Sequence, residues 1–110
     1  MAGWYELGNS RDGQFHFVLK AGNAETILSS ELYKTRAAAE NGMTSVQQNS
    51  ADDARYEKRE SRDGKHYFVL KAANHQVIGS SQGYASVASR DAGIDSVKAN
   101  GPTTTIKDKT

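Results

Sequence analysis

The chain has no cysteine among its 110 residues. That removes disulfides, zinc ribbons, iron–sulfur ligation and thiol nucleophiles from consideration. Long apolar runs are also missing, and nothing approaches the roughly 18 residues that would span a bilayer. The opening Met1-Ala2-Gly3-Trp4-Tyr5-Glu6 has neither a basic leader nor an apolar core of the kind that directs export. The chain is therefore expected to be cytoplasmic and free of membrane contact. Large aliphatic and phenyl side chains are scarce: Leu, Ile, Val and Phe make up 18 of 110 residues, or 16%. Disorder of the charge-driven kind would also need a large net charge, and the formal charge is only +1. A small core, filled out by 14 alanines, is the expectation.

What is present is one unit written twice. Shifting the chain by 51 residues places Tyr5-Glu6 on Tyr56-Glu57 and Ser10-Arg11-Asp12-Gly13 on Ser61-Arg62-Asp63-Gly64. Phe17-Val18-Leu19-Lys20-Ala21 falls on Phe68-Val69-Leu70-Lys71-Ala72, and Ser29-Ser30-x-x-Tyr33 on Ser80-Ser81-x-x-Tyr84. With the isolated matches Asn23, Ile27, Ala37, Gly42, Ser45-Val46 and Asn49, the gapless overlay of residues 4–54 contains 21 identities. The repeats divide as 1–54 and 55–110 of a single domain.

Each unit reads as three strands and a helix. Trp4 to Gly8 forms the first strand and Gln14 to Lys20 the second, where Phe15, Phe17 and Leu19 alternate with Gln14, His16, Val18 and Lys20. Parity selects a three-residue loop with Gly13 in the left-handed region. Only that loop sets Leu7 opposite Phe17 and Tyr5 opposite Leu19. Lys58 replaces Leu7 in the second unit, so that strand should be less buried. A short third strand, about Glu25 to Leu28, follows a turn in which Asn23 and Asn74 suit a positive φ. Thr35 and Ser86 are placed to cap the helices. Ala39, Gly42, Met43 and Val46 form a stripe at helical spacing. Gly42 and Gly93 each cost about 1 kcal/mol of helix propensity, which predicts a helix lying close to the sheet. Asn49 and Asn100-Gly101-Pro102 end the helices, and a last strand runs from Thr103 to Lys107 in the register of Asp52 to Tyr56. A unit of about 50 residues buries too little surface to stand comfortably alone. Two units sharing one sheet, with both helices on one face, give an α+β fold.

The tandem pattern Phe-Val-Leu-Lys-Ala-x-Asn, Ile-x-Ser-Ser-x-x-Tyr and a helix with Gly-Met/Ile-x-Ser-Val resembles the YegP-like family of small bacterial proteins. The resemblance runs nearly end to end. It implies tandem β3-α-β repeats in one largely antiparallel sheet with exchanged C-terminal strands, an internal pseudo-dimer. Asn23-Ala24 and Asn74-His75 depart from the family's Asn-Gly turn. The family has no established activity, so the resemblance brings no catalytic residues with it.

Candidate chemistry is sparse. His16 and His66 occupy opposite faces of equivalent strands and His75 lies in a turn, so no metal site is expected. Asp12 and Asp63 flank turn glycines, and Glu6 and Glu57 lie on the open face as cross-strand ion-pair partners. Ser29, Ser30, Tyr33 and their copies Ser80, Ser81, Tyr84 are the sharpest repeated polar motif. No repeated base accompanies them, so they read as a structured strand-to-helix turn with a subsidiary chance of ligand binding. No cofactor and no enzymatic activity are expected.

Charge divides unevenly: residues 1–54 carry −3 and residues 55–110 carry +4. Parity sets Arg55, Arg59, Lys65 and Lys71 on the open face around Tyr67 and Val69. An aromatic flanked by cations on a sheet can stack a base and hold phosphates. The interleaved Glu57, Glu60 and Asp63 argue the other way. The preferred reading is a monomeric, non-enzymatic interaction module meeting an unidentified protein or anionic partner through its open face. The alternative is a single-stranded nucleic-acid or other polyanion binder acting through the second hairpin.

Overall fold

A computed structural model describes residues 3–110. The first unit comprises β1 (Trp4–Asn9), β2 (Phe15–Lys20), β3 (Thr26–Ser29) and α1 (Arg36–Asn49). A single 3₁₀ turn, Asp53–Arg55, leads into β4 (Tyr56–Glu60), β5 (His66–Lys71), β6 (Val77–Ser80), α2 (Val87–Asn100) and β7 (Ile106–Asp108). The seven strands form one sheet in the order β4-β5-β6-β3-β2-β1-β7. Every pairing is antiparallel except β1 with β7.

The hairpin register is the one parity demanded. Tyr5 lies opposite Leu19 and Leu7 opposite Phe17. Gly13 and Gly64 both adopt φ of 82°, the left-handed region that glycine enters without steric cost. The next turn differs from expectation. The positive φ falls on Ala24 and His75, one residue after each asparagine. Asn23 and Asn74 instead accept from the amides of Glu25 and Gln76 at 3.1 Å. The side chain closes the turn and the following residue bears the strain.

Strict alternation fails in the third strands for a reason visible in the register. Leu19 pairs with Leu28 but Lys20 pairs with Thr26, leaving Ile27 as an extra residue. Ile78 is its counterpart between Gly79 and Val77. Such a bulge lets consecutive residues turn inward, and Ile27 and Leu28 are both buried.

Thr35 and Ser86 cap their helices as expected, accepting from Ala38 and Ser89 amides at 3.1 Å. The buried stripes are Ala39, Gly42, Met43, Val46 and Arg90, Gly93, Ile94, Val97. Each helix packs on the middle strand of its own unit and on the third strand of the other. The core is therefore shared, with Tyr5, Phe17, Leu19, Leu28, Phe68 and Leu70 at its centre.

The repeated glycines make that approach possible. A Cβ on Gly42 would lie 2.5 Å from the Tyr33 hydroxyl oxygen, and one on Gly93 at the same distance from Tyr84. Equivalent residues meet at the pseudo-two-fold axis. Ser29 pairs with Ser80 in the sheet, while Gly101 packs against Ser50 where the helices end.

Strand exchange is one-sided. β7 of the second unit lies beside β1 of the first, three residues rather than the five expected from Thr103 to Lys107. The matching segment after α1 forms the 3₁₀ turn and then β4 itself. Among the described residues, strand β4 is left as a free edge.

Candidate functional site

The helix-free face is built by alternation along each strand. One register row crosses all seven strands: Lys107, Glu6, Val18, Ser29, Ser80, Val69 and Glu57. Small side chains occupy its centre. Longer ones rise on either side, with Trp4, His16 and Lys20 in the first unit and Arg59, Tyr67 and Lys71 in the second.

Of the cations expected around Tyr67, Arg59 and Lys71 lie on the strands that carry this face, and Arg55, Arg59 and Lys71 are paired with carboxylates. Glu57 accepts from Lys71 Nζ at 2.9 Å and is also bonded by Arg59 Nε. These two partners hold its carboxyl below the ordinary range, Lys71 contributing most. Arg55 pairs with Asp52 at 3.5 Å. Lys65 is exposed and lays its alkyl stem against Gly83, where a Cβ would be 3.0 Å from Cδ. Val69, expected on the open surface, is only 2% exposed. Long charged neighbours can cover an apolar residue with their stems in this way.

The first unit differs more than the strand alignment implies. Trp4 is 9% exposed, its indole N–H donates to Glu6 at 2.9 Å, and Lys107 Nζ sits 4.1 Å from the ring centroid. Glu6 titrates below its usual range, first through the Trp4 bond and then through Lys20, Lys109 and Lys107. Strand β7 and the residue after it thus carry Lys107 and Lys109 of the more basic half across to the other margin of the face.

The serine–tyrosine motif separates into three structural roles. Ser29 and Ser80 meet at the pseudo-dyad on the open face. Ser30 Oγ accepts from the Phe17 amide at 2.9 Å and donates to the Glu31 carbonyl at 2.7 Å. Ser81 repeats this with Phe68 and Gln82 at 3.0 and 2.8 Å. These hydroxyls replace a missing ladder bond and have no proton to spare for a base. Tyr33 and Tyr84 return to pair with Phe15 and His66, on the helix side of the sheet. The Tyr33 ring stacks on Phe17 at 6.1 Å, and burial, then Glu31, raises its hydroxyl pKa. Asp12 and Asp63 bond Ser10 and Ser61 within their own turns.

A feature absent from the sequence reading is a groove of about 620 Å³ beside β4. Tyr56, Glu57 and Lys58 form one wall; Asp91, Ile94, Asp95 and Lys98 of α2 form the other, with Asp53 at one end. The replacement of Leu7 by Lys58 marks it in the repeat. Among the described residues no helix is long and apolar enough to cross a membrane.

Comparison with known proteins agrees with this architecture. The family model described as "Domain of unknown function (DUF1508)" matches residues 10–57 and again 61–108. A UPF0339 protein of Acinetobacter baylyi is 66% identical over 110 residues, covering 100% of this chain and 99% of its own length. The UPF0339 protein YegP of Escherichia coli K12 is 62% identical with full coverage of both. The solution NMR structure of Escherichia coli yegP, itself titled a protein of unknown function, superposes with a TM-score of 0.95 at 62% identity, covering 100% of this chain and 95% of that one. That of a Shewanella oneidensis UPF0339 protein gives 0.92 at 61% identity, with 98% and 92% coverage. One family match begins after β1 and covers β2, β3 and α1, the other begins after β4 and covers β5, β6, α2 and β7, and the chain belongs to the DUF1508 family as a tandem of two copies folded into one sheet.

Proposed function

We propose that the chain is a cytoplasmic, non-enzymatic interaction module that meets a protein partner through the helix-free face of its sheet. The observation that carries this reading is the row of Val18, Ser29 and Ser80 across the pseudo-dyad, beside the buried Val69. It offers small, uncharged groups at the centre and charged groups at both margins, the core-and-rim arrangement of protein interfaces. The Ser30 and Ser81 hydroxyls are bonded to amides of the neighbouring strands, which favours binding over catalysis at that motif. The cysteine-free composition suits a reducing compartment.

Tagged full-length chain and a Ser29→Arg/Ser80→Arg variant, compared in capture from native lysate, test the face. Loss of a captured protein with unchanged melting supports it. Equal capture by both sinks it.

A polyanion is the second reading, favoured by the delivery of Lys107 and Lys109 to the margin opposite Arg59 and Lys71. Phosphate contacts impose a steep salt dependence. Oligonucleotide binding that weakens sharply with salt and is lost in Arg59→Glu/Lys65→Glu would move the assignment there.

A further inference from the structure

The molecule contains its own example of what a free edge of this sheet can hold. On β1, the Tyr5 amide donates to the Thr105 carbonyl at 2.9 Å, and the Lys109 amide donates to the Leu7 carbonyl at 2.8 Å. Helix α1 secures the incoming segment, with Gln47 donating to the Thr103 carbonyl at 2.9 Å and Arg36 pairing with Asp108. The result is a parallel strand paired to the sheet edge and tied to the neighbouring helix, with its own side chains exposed.

Strand β4 is the pseudo-symmetric counterpart of β1 and has no such neighbour. By that equivalence Tyr56 and Lys58 direct their outward backbone groups to the edge, as Tyr5 and Leu7 do. The Tyr56 amide is satisfied by the Asp53 carbonyl. The Tyr56 carbonyl and both backbone groups of Lys58 are left for an incoming chain. The groove lies where β7 lies on the other unit, and its volume of about 620 Å³ gives side chains somewhere to go.

Its charge is not that of the occupied site. Leu7, Glu40, Met43, Thr44 and Gln47 correspond to Lys58, Asp91, Ile94, Asp95 and Lys98. Of the carboxylates that line it, Glu57 turns to the open face, where Lys71 and Arg59 hold it; Asp53, Asp91 and Asp95 remain against the two lysines Lys58 and Lys98. Lys98 pairs with Asp53, and Lys58 and Arg90 both pair with Asp91, which leaves Asp95 as the carboxylate on the groove wall with no ion pair among the described residues. Charge on an edge strand discourages indiscriminate pairing; an excess of one sign selects a segment of the other.

We propose that β4 accepts an extended, lysine- or arginine-bearing segment of a partner protein as an eighth strand, parallel to β4 and in the register that β7 has on β1. Main-chain bonds to Tyr56 and Lys58 would supply affinity and the acidic groove would supply selectivity, the mode of β-strand addition. This site is separate from the open face, so either assignment can fail alone.

The test uses isotope-labelled full-length chain and a synthetic peptide with the sequence of residues 102–110, a segment already able to pair with this kind of edge. Expected are chemical-shift changes and slowed amide exchange at Lys58 and Glu60, with shifts at Asp91, Asp95 and Lys98. A peptide with both lysines changed to glutamate should bind at least tenfold more weakly. Asp95→Lys should weaken the original peptide by a similar factor. Lys58→Pro, which deletes an edge donor while leaving the β5 side of the strand paired, should abolish strand addition. If Lys58→Pro fails to fold, Asp95→Lys carries the test by itself.

Several results would overturn the proposal: no perturbation at millimolar peptide, equal binding of the charge-reversed peptide, or perturbation confined to Tyr5 and Leu7 through displacement of β7. Concentration-dependent shifts at β4 without peptide would replace the partner protein by a second copy of the chain. Shifts confined to Val18, Ser29, Ser80 and Val69 would place the peptide on the open face instead.

Discussion

The two halves of this protein share a backbone plan yet end in opposite states. Strand β1, flanked by β2 and β7, buries Tyr5 and Leu7 to 0% and 1% exposure. Edge strand β4 keeps Tyr56 half-buried and leaves Lys58 exposed. The difference arises from chain connectivity. A tandem chain has only one segment after its last helix, so only one edge receives a strand. The link after the first helix must instead become the start of the second unit. Sequence has followed this asymmetry: leucine stands where the edge is covered and lysine where it is open.

The strongest way to break the comparison is to separate the halves. Residues 1–54 alone would lack β7 and the strands β5 and β6 on which α1 also rests. The expected outcome in size-exclusion chromatography and circular dichroism is an unfolded chain or a dimer. A cooperative monomeric transition would show that the core is not shared.

Core truncations should then show the halves to be equal inside. Phe17 and Phe68 are 1% and 0% exposed, each in edge-on contact with a tyrosine, at 5.9 and 5.7 Å between centroids. Phe→Ala at either position should cost about 3–5 kcal/mol in urea unfolding. A large cost at one and none at the other would mean that the two faces are not equivalent.

At the pseudo-dyad the halves are forced to differ. Gly101 and Ser50 are equivalent positions in contact, and a Cβ on Gly101 would run into the Ser50 side chain. Gly101→Ala should destabilise by about 1–3 kcal/mol through overpacking. Ser50→Ala removes a buried hydroxyl that has no hydrogen-bond partner and should leave stability unchanged or slightly higher, because an unpaired buried polar group is costly. Two identical serines here would exclude each other, so thermal denaturation of the pair separates crowding from polarity.

The smallest effect concerns pH at the covered edge. Asp108 is held at about 2, below its usual 3.8, by the Thr110 hydroxyl and amide and then by Arg36. A carboxyl depressed in the folded state binds protons more readily when unfolded. Its contribution is therefore present above about 3.8 and is lost as pH falls toward 2. Amide protection at Tyr5 should decline over that window in the wild type, and Asp108→Asn should flatten that dependence. Unchanged protection in the wild type would detach Asp108 from the hold on β7.

Much of this architecture was legible in one sequence because it was written twice. Leu7 opposite Phe17, the caps Thr35 and Ser86, and the glycine at φ of 82° all follow from alternation, capping chemistry and steric limits within a few residues. The candidate surface was less legible. The positions of Arg55, Arg59, Lys65, Tyr67 and Lys71 followed from parity, but parity assigns a side chain to a face without saying whom it bonds. Glu57 engages two of those cations at once, which depends on side-chain reach across neighbouring strands.

Local chemistry therefore determined the strands, helices, turns and caps, since each is governed by residues within hydrogen-bonding distance along the chain. Only the tertiary structure decided that β7 crosses to β1, bringing Lys107 over Trp4 and closing one edge while β4 stays open. Those outcomes join residues about a hundred positions apart. The chain has a single C-terminal segment for two equivalent edges, and no periodicity in the sequence records which edge it covers.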